Sequence, residues 1–337
     1  MDAFKPLIAK AAAGLPLTME EAQTAFDQML SGETTPAQMS GFLMALRVRG
    51  ETVEEIKGAV SAMRGKMLAV SAPANAIDVV GTGGDASGSW NVSTLAGLIV
   101  AACGVPVAKH GNRAASSKSG AADVLQALGV KIGGSPEKVA EILGKTGFSF
   151  MLAPAHHPAM RNVAPVRTEL GTRTMFNMLG PLCNPAGVKR ILLGIFAKSW
   201  MEPIAETLRD LGTERAWIIH GSDGLDEMTT TGPTHVVELR DGVIRAFEIN
   251  PADAGLPLSD PEALKGGEPG ENAKALAAVL DGAKNAYRDI AILNAAGALV
   301  VADRVPDVRA GAALAAEALD SGKVKALLAA VVAASNE

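Results

Sequence analysis

The stretch Ile77-Asp78-Val79-Val80-Gly81-Thr82-Gly83-Gly84-Asp85 decides the fold. A β-branched run breaks directly into three glycines within four residues, the pattern of a buried strand that ends in a tight turn. Thr94 to Cys103 then reads as a buried helix, and Val105 to Ala108 as a second strand. Asp123 to Leu128 predicts a helix closed by Gly129, and Phe148–Leu152, Ile191–Phe196 and Ala216–His220 predict further short apolar strands. Thr234–Leu239 and Val243–Ile249 flank Asp241-Gly242, a hairpin signal that adds an antiparallel edge. From Asn272 to Ala334 the chain is Ala- and Leu-rich helix. Strands alternating with helices predict an α/β fold whose mostly parallel central sheet is covered on both faces. Ligands of such a sheet gather at the carboxyl ends of its strands.

Upstream of Pro73 the grammar is helical. Thr18, Thr35 and Thr52 are each followed three residues later by Glu21, Gln38 and Glu55, the spacing of a capping box. Apolar residues at helical intervals follow each box, and Gly32 and Gly50 close the first two helices. The boxes recur every 17 residues, too short a period for a solenoid repeat, so a small bundle is expected. The expected division is a helical domain over residues 1–72 and a larger α/β domain over residues 73–337. The Arg-rich, Pro-punctuated segment from Pro154 to Pro185 fits neither grammar, and part of 158–185 is expected to join the helical domain.

Composition narrows the function. The 337 residues carry a net charge of −5 and few aromatic rings, which disfavours a nucleic-acid partner. Two cysteines make neither a disulfide framework nor a Cys-rich zinc site, so a reduced, cytoplasmic setting is expected. Met1 to Lys10 lacks an apolar signal core, and the long charge-free stretch Ala86–Ala108 is broken by Ser, Gly, Asn, Thr and Pro, so neither secretion nor a membrane span is expected.

Three loops follow predicted strands and carry chemistry. In the first, Gly81 to Asp85 followed by Ser87 to Thr94, clustered amides form an anion nest and Ser93-Thr94 opens a helix. Gly81, Gly83 and Ala86 also match a weak dinucleotide fingerprint, but Lys109 stands where that reading wants an acid. The second, Lys109-His110-Gly111-Asn112-Arg113-Ala114-Ala115-Ser116-Ser117-Lys118-Ser119-Gly120, puts three cations and several hydroxyls in one loop, which suits a phosphate or pyrophosphate. In the third, Gly221 to Glu227, adjacent Asp226 and Glu227 offer oxygens to a hard cation from what reads as an exposed loop. Taken by itself, Arg167 reads as a surface ion pair. His110 and His157 are candidate cleft-liners, no histidines stand at metal spacing, and no nucleophile arrangement is present.

Read together, these motifs resemble the anthranilate phosphoribosyltransferase family over nearly the whole chain. The resemblance rests on D-V-V-G-T-G-G-D, N-V-S-T, K-H-G-N-R-A-x-S-S-x-S-G, H-P-A-M-R, P-V-R, N-x-L-G-P-L-x-N-P and G-x-x-G-L-D-E. It implies a helical domain beside an α/β domain, transfer of 5-phosphoribose from phosphoribosyl pyrophosphate to the amine of anthranilate in tryptophan synthesis, and a homodimer formed through the helical domain. It also implies Mg2+, two ions per subunit. By the same resemblance Gly81, Gly84, Asp85, Ser89, Asn91, Val92, Ser93, Thr94 and Lys109, His110, Gly111, Asn112, Arg113, Ala114, Ala115, Ser116, Ser117 would hold phosphoribosyl pyrophosphate. Ser93, Asp226 and Glu227 would hold magnesium, and Gly81, Asn112 and Arg167 would place anthranilate. Ala121 departs from the Ser often found after S-G, and Ser89 stands where Thr is frequent.

The chemistry is consistent with that assignment. Cleavage at the anomeric carbon builds oxocarbenium character while pyrophosphate leaves with negative charge, so the protein must neutralise charge and align its substrates. An arylamine is neutral at pH 7, and no residue is assigned as general acid or base. The alternatives are a pyrimidine nucleoside phosphorylase-like enzyme and a nucleic-acid-binding relative of the same fold; a nicotinamide dehydrogenase is weakened by Lys109.

Overall fold

The computed structural model describes residues 3–85, 87–114 and 118–337. Four helices open the chain: α1 (Lys5–Ala12), α2 (Met19–Ser31), α3 (Pro36–Arg49) and α4 (Val53–Gly65). Thr18, Thr35 and Thr52 cap the last three through complete capping boxes. The first helix was not legible, because no side chain caps it. Glu55 does more than cap: its buried carboxylate accepts from the amides of Thr52 and Leu17 and pairs with Arg49, tying the α1–α2 link to α4.

The sheet is built from β1 (Ile77–Gly81), β2 (Val107–Gly111), β3 (Phe148–Leu152), β4 (Arg190–Gly194), β5 (Arg215–Gly221), β6 (Thr234–Arg240) and β7 (Val243–Ile249). Their order is β3-β2-β1-β4-β5-β6-β7; the first five are parallel, and β6 pairs antiparallel with both β5 and β7. Asp241 and Gly242 both take positive φ, 52° and 80°, as a tight hairpin turn requires. The order runs outward in opposite directions from β1, and a crevice opens above the carboxyl ends of β1 and its neighbours.

The remaining helices are α5 (Val92–Ala102), α6 (Ala121–Ala127), α7 (Pro136–Thr146), α8 (Ala153–His156), α9 (Ala164–Leu170), α10 (Phe176–Leu182), α11 (Met201–Asp210), α12 (Pro269–Leu280), α13 (Ala286–Val301), α14 (Val308–Asp320) and α15 (Lys323–Asn336). Alternation along the strands divides the core. Ile77, Val79, Leu192, Trp217 and Ile219 pack against α5 and α13 on one face. Ile191, Leu193, Ala216 and Ile218 face the other way, toward α11, in an apolar cluster that continues into α1–α4. The segment 154–185 folds as short helices whose Val163, Val166, Phe176, Leu179 and Leu182 join that cluster. Phe26 meets Phe176 with ring centroids 5.3 Å apart.

One boundary matters for function. The second strand begins at Val107 and runs to Gly111, so Lys109 and His110 belong to the strand and not to the loop the sequence suggests. Their side chains therefore alternate to opposite faces of the sheet.

Candidate active site

Gly81 ends β1 because nothing larger fits: a Cβ there would run into the Asp226 carboxylate. Gly83 and Gly84 take φ of 68° and 75°, backbone that turns the loop back over the strand end. The Gly83 amide donates to Asp226 Oδ2 at 2.6 Å, and the Ser93 amide donates to Glu227 Oε1 at 3.1 Å. The loop after β5 is thus fastened to both the glycine loop and the first turn of α5.

Asp226 and Glu227 are each only 8% exposed, which corrects the expectation of an exposed loop. Burial raises both pKa values above the ordinary carboxylate range, and repulsion between neighbouring acids, Asp85 included, adds to it. Asp85 Oδ2 is buried with no hydrogen-bond partner. A buried carboxylate oxygen without a donor, beside two acids that repel it, fits a hard cation. Among the described residues no three His, Cys, Asp or Glu side chains form a group that could hold a metal unaided. A magnesium ion bound here would therefore draw most of its ligands from water and substrate oxygens.

Lys109 is 1% exposed. Its Nζ donates to the Val79 carbonyl and, at 3.1 Å, to Ser93 Oγ. Desolvation pulls its pKa down, while Asp78, Glu227 and Asp226 favour the charged form. Asp78 lies beneath, accepting from the His110 amide at 3.2 Å and from Asn184 Nδ2 at 2.7 Å; burial pushes its pKa up to about 6. Neither Asp78 nor Asn184 was singled out from sequence, although an acid inside Ile77-Asp78-Val79-Val80 is itself a signal.

Asn91 is a strut. Its Oδ1 accepts from Ser119 Oγ and from Asn272 Nδ2, its Nδ2 donates to the Ser119 carbonyl, and its carbonyl accepts from Tyr287. Arg113 pairs instead with Asp123 Oδ1 at 3.0 Å and Gln126 at 2.9 Å, so its guanidinium shapes the loop before α6. The readings at Ala115, Ser116 and Ser117 lie outside the described residues.

A cavity of about 590 Å³ joins these elements. Gly81, Gly84, Asp85, Ser89, Asn91 to Thr94, Lys109 to Ala114, Arg167, Asp226 and Glu227 all line it. Phe176, Asn177 and His157 line it as well. Arg167 is no surface ion pair: it is partly buried, it has no acidic partner among the described residues, and its Cζ lies 5.5 Å from the Phe176 ring centroid. Desolvation lowers its pKa. A half-buried guanidinium whose donors find no acceptor among the described residues has the chemistry to take a carboxylate.

The two histidine rings lie 5.1 Å apart. His110 Nδ1 contacts the Gly180 carbonyl at 3.1 Å, which assigns the proton to Nδ1 and leaves Nε2 as an acceptor. Burial lowers their pKa values to about 3 for His110 and about 4 for His157, so both are neutral near pH 7. Both Nε2 atoms are buried without partners.

Comparison with known proteins accords with this geometry. The profile of the glycosyl transferase family a/b domain matches residues 73–325, and that of its helical bundle domain matches residues 5–67. A curated anthranilate phosphoribosyltransferase from Methylocella silvestris is 63% identical, covering 100% of this chain and 96% of that one. The crystal structure of the Thermus thermophilus anthranilate phosphoribosyltransferase superposes with a TM-score of 0.93 at 44% identity, covering 100% of both chains. The Saccharomyces cerevisiae enzyme, solved in complex with phosphoribosyl pyrophosphate and magnesium, superposes with a TM-score of 0.91 at 28% identity, covering 99% of this chain and 98% of that one. With similarity running end to end through both its helical and its sheet portions, this chain belongs to the anthranilate phosphoribosyltransferase family.

Proposed function

We propose that this chain transfers the 5-phosphoribosyl group of phosphoribosyl pyrophosphate to the amine of anthranilate, releasing pyrophosphate, as a step of tryptophan biosynthesis. The observation that carries the reading is a single cavity lined by a glycine loop, by buried carboxylates and by Arg167, which has no acidic partner among the described residues. Those groups match the two charges the reaction must hold: a pyrophosphate and an aryl carboxylate.

The donor is assigned to Gly81, Gly84, Asp85, Ser89, Asn91 to Thr94 and Lys109 to Ala114, with Ala115, Ser116 and Ser117 carried over from the family resemblance. Support comes from the exposed edges of the glycine loop and α5, where amides and a helix N-terminus favour phosphate. Ser93, Asp226 and Glu227 would hold magnesium, which would supply positive charge against the pyrophosphate; two ions per subunit are proposed. Lys109 supplies fixed positive charge from the sheet, already oriented by Ser93 Oγ. Preorganised charge of this kind needs no rearrangement as the anomeric bond breaks.

Arg167 grips the acceptor carboxylate, with Asn112 and Gly81 beside it, so that the neighbouring amine faces the ribose carbon. The arylamine attacks with its own lone pair. The proton it sheds passes to solvent or to the leaving pyrophosphate, because imidazoles held at pKa values of about 3 and 4 keep a proton poorly, and no residue is assigned as the base.

Residues 1–72 with part of 158–185 form the proposed helical domain, and 73–337 the donor-binding domain. A homodimer through the helical domain is proposed, supported by Val48, 83% exposed on α3, and Leu15, 54% exposed before α2. A cytoplasmic setting is proposed from two free, buried cysteines, Cys103 and Cys183. No helix among the described residues is long and apolar enough to cross a membrane.

The test is product identity. Purified protein incubated with anthranilate, phosphoribosyl pyrophosphate and magnesium should yield phosphoribosyl anthranilate and pyrophosphate in equal amounts by mass spectrometry. Pyrophosphate release without the ribosylated arylamine would reject anthranilate as acceptor.

A further inference from the structure

Between α9 and α10 the chain makes a short turn, residues 171–175, held by the Thr174 amide donating to Asn177 Oδ1 at 3.0 Å. The turn presents Arg173. Its carbonyl accepts from the Arg47 guanidinium of α3. Its own guanidinium points the other way, toward the sheet, with Cζ 4.4 Å from the Phe196 ring centroid. The same guanidinium lies flat against the glycine loop: a methyl group on Gly84 would sit 3.4 Å from Arg173 Nε and 3.5 Å from Nη2. Phe196 is itself joined to the loop, its amide donating to Thr82 Oγ1 at 3.2 Å. Arg173 therefore meets the loop at Gly84 directly and at Thr82 through Phe196.

Among the described residues that guanidinium has no ion pair and no hydrogen-bond acceptor. A stacked cation whose five N–H donors find no acceptor among the described residues is unusual at a half-buried position. Its surroundings supply the reason. The loop it braces lines the cavity, where amides and a buried lysine are arranged for phosphate. The same segment carries Arg167, which lines that cavity too.

We infer that Arg173 is a positioning residue for the donor: it fixes the glycine loop in the conformation that receives pyrophosphate and couples that loop to the helical layer through Arg47. Planarity is essential to the role, because only a guanidinium stacks on the ring while covering Gly84. Lysine keeps the charge without the plate; methionine keeps some packing without the charge.

This inference rests on the reading of the glycine loop as the donor site, and calorimetry separates the two. The parent protein with magnesium is titrated with phosphoribosyl pyrophosphate, then Arg173→Ala, Arg173→Met and Arg173→Lys. The alanine and methionine variants should bind at least about fivefold more weakly, and lysine should recover part of that loss. In turnover, the KM for phosphoribosyl pyrophosphate should rise while the KM for anthranilate stays at the parent value, with unchanged thermal midpoints. Parent-like donor affinity in the alanine variant overturns the role of Arg173 and leaves the donor site standing. A rise in both KM values with a lowered midpoint in all three variants also overturns it, as general loosening. Failure of the parent itself to bind overturns both.

Discussion

Asp226 Oδ2 accepts the Gly83 amide at 2.6 Å across 143 positions of sequence, so the residue proposed to hold magnesium also holds the glycine loop. The two duties separate by substitution. Asn at 226 retains an acceptor for Gly83 but no charge, and Gln at 227 does the same for Ser93. The double variant Asp226→Asn/Glu227→Gln should lose magnesium-dependent turnover by about a hundredfold or more, roughly 3 kcal/mol of transition-state stabilisation. Its thermal midpoint should equal or exceed the parent's, because two desolvated acids that repel each other have been neutralised. A stable variant with parent activity across a magnesium titration would reduce the pair to a structural clasp.

The same burial gives the metal site a pH dependence of definite sign. Both acids have raised pKa values in the free protein, so protons compete with magnesium and are released when it binds. Apparent magnesium affinity should fall as pH is lowered through neutrality. Calorimetry in two buffers of different ionisation enthalpy should register net proton release; identical heats in both would contradict it.

Lys109 and Arg113 are adjacent in the sequence motif yet should respond unequally. Lys109 is buried within the site, and Lys109→Met should weaken donor binding by roughly 1.5–3 kcal/mol, about 10- to 150-fold. The Arg113 side chain is 52% exposed and paired with Asp123, so Arg113→Ala should cost less than about 1 kcal/mol. Equal losses in the two would mean that Arg113 abandons Asp123 when the donor arrives.

That contrast marks what sequence conveys and what it leaves out. Periodicity and capping spacing were enough for α2–α4, for the alternating strands and for the three loops at their carboxyl ends. They were not enough to say which way a side chain points. Placing Lys109 in a loop rather than in β2 made it look like an exposed loop cation such as Arg113, when strand alternation drives it into the sheet. Arg167 looked like a surface charge because a contact made only in the fold, with the Phe176 ring, helps to cover it. Asp78, Asn184 and Arg173 escaped notice for the same reason: each acts through contacts made only after the sheet and the segment 154–185 come together.

Arg167 carries the acceptor assignment. Arg167→Ala should raise the KM for anthranilate more than that for phosphoribosyl pyrophosphate, by about 10- to 150-fold for a lost charge-assisted pair. Aniline lacks the carboxylate, so the parent's preference for anthranilate over aniline should largely disappear in the variant. A preference that survives would move the carboxylate's partner elsewhere along the cavity.

The central claim is the transfer itself, and the fluorescence of anthranilate reads it most directly. With the purified parent, emission should fall steadily when phosphoribosyl pyrophosphate and magnesium are both present. It should hold constant when either is omitted or when a chelator is added. Emission that stays level in the complete mixture would contradict the account, as would a fall driven by inorganic phosphate and a nucleoside in place of the pyrophosphate donor.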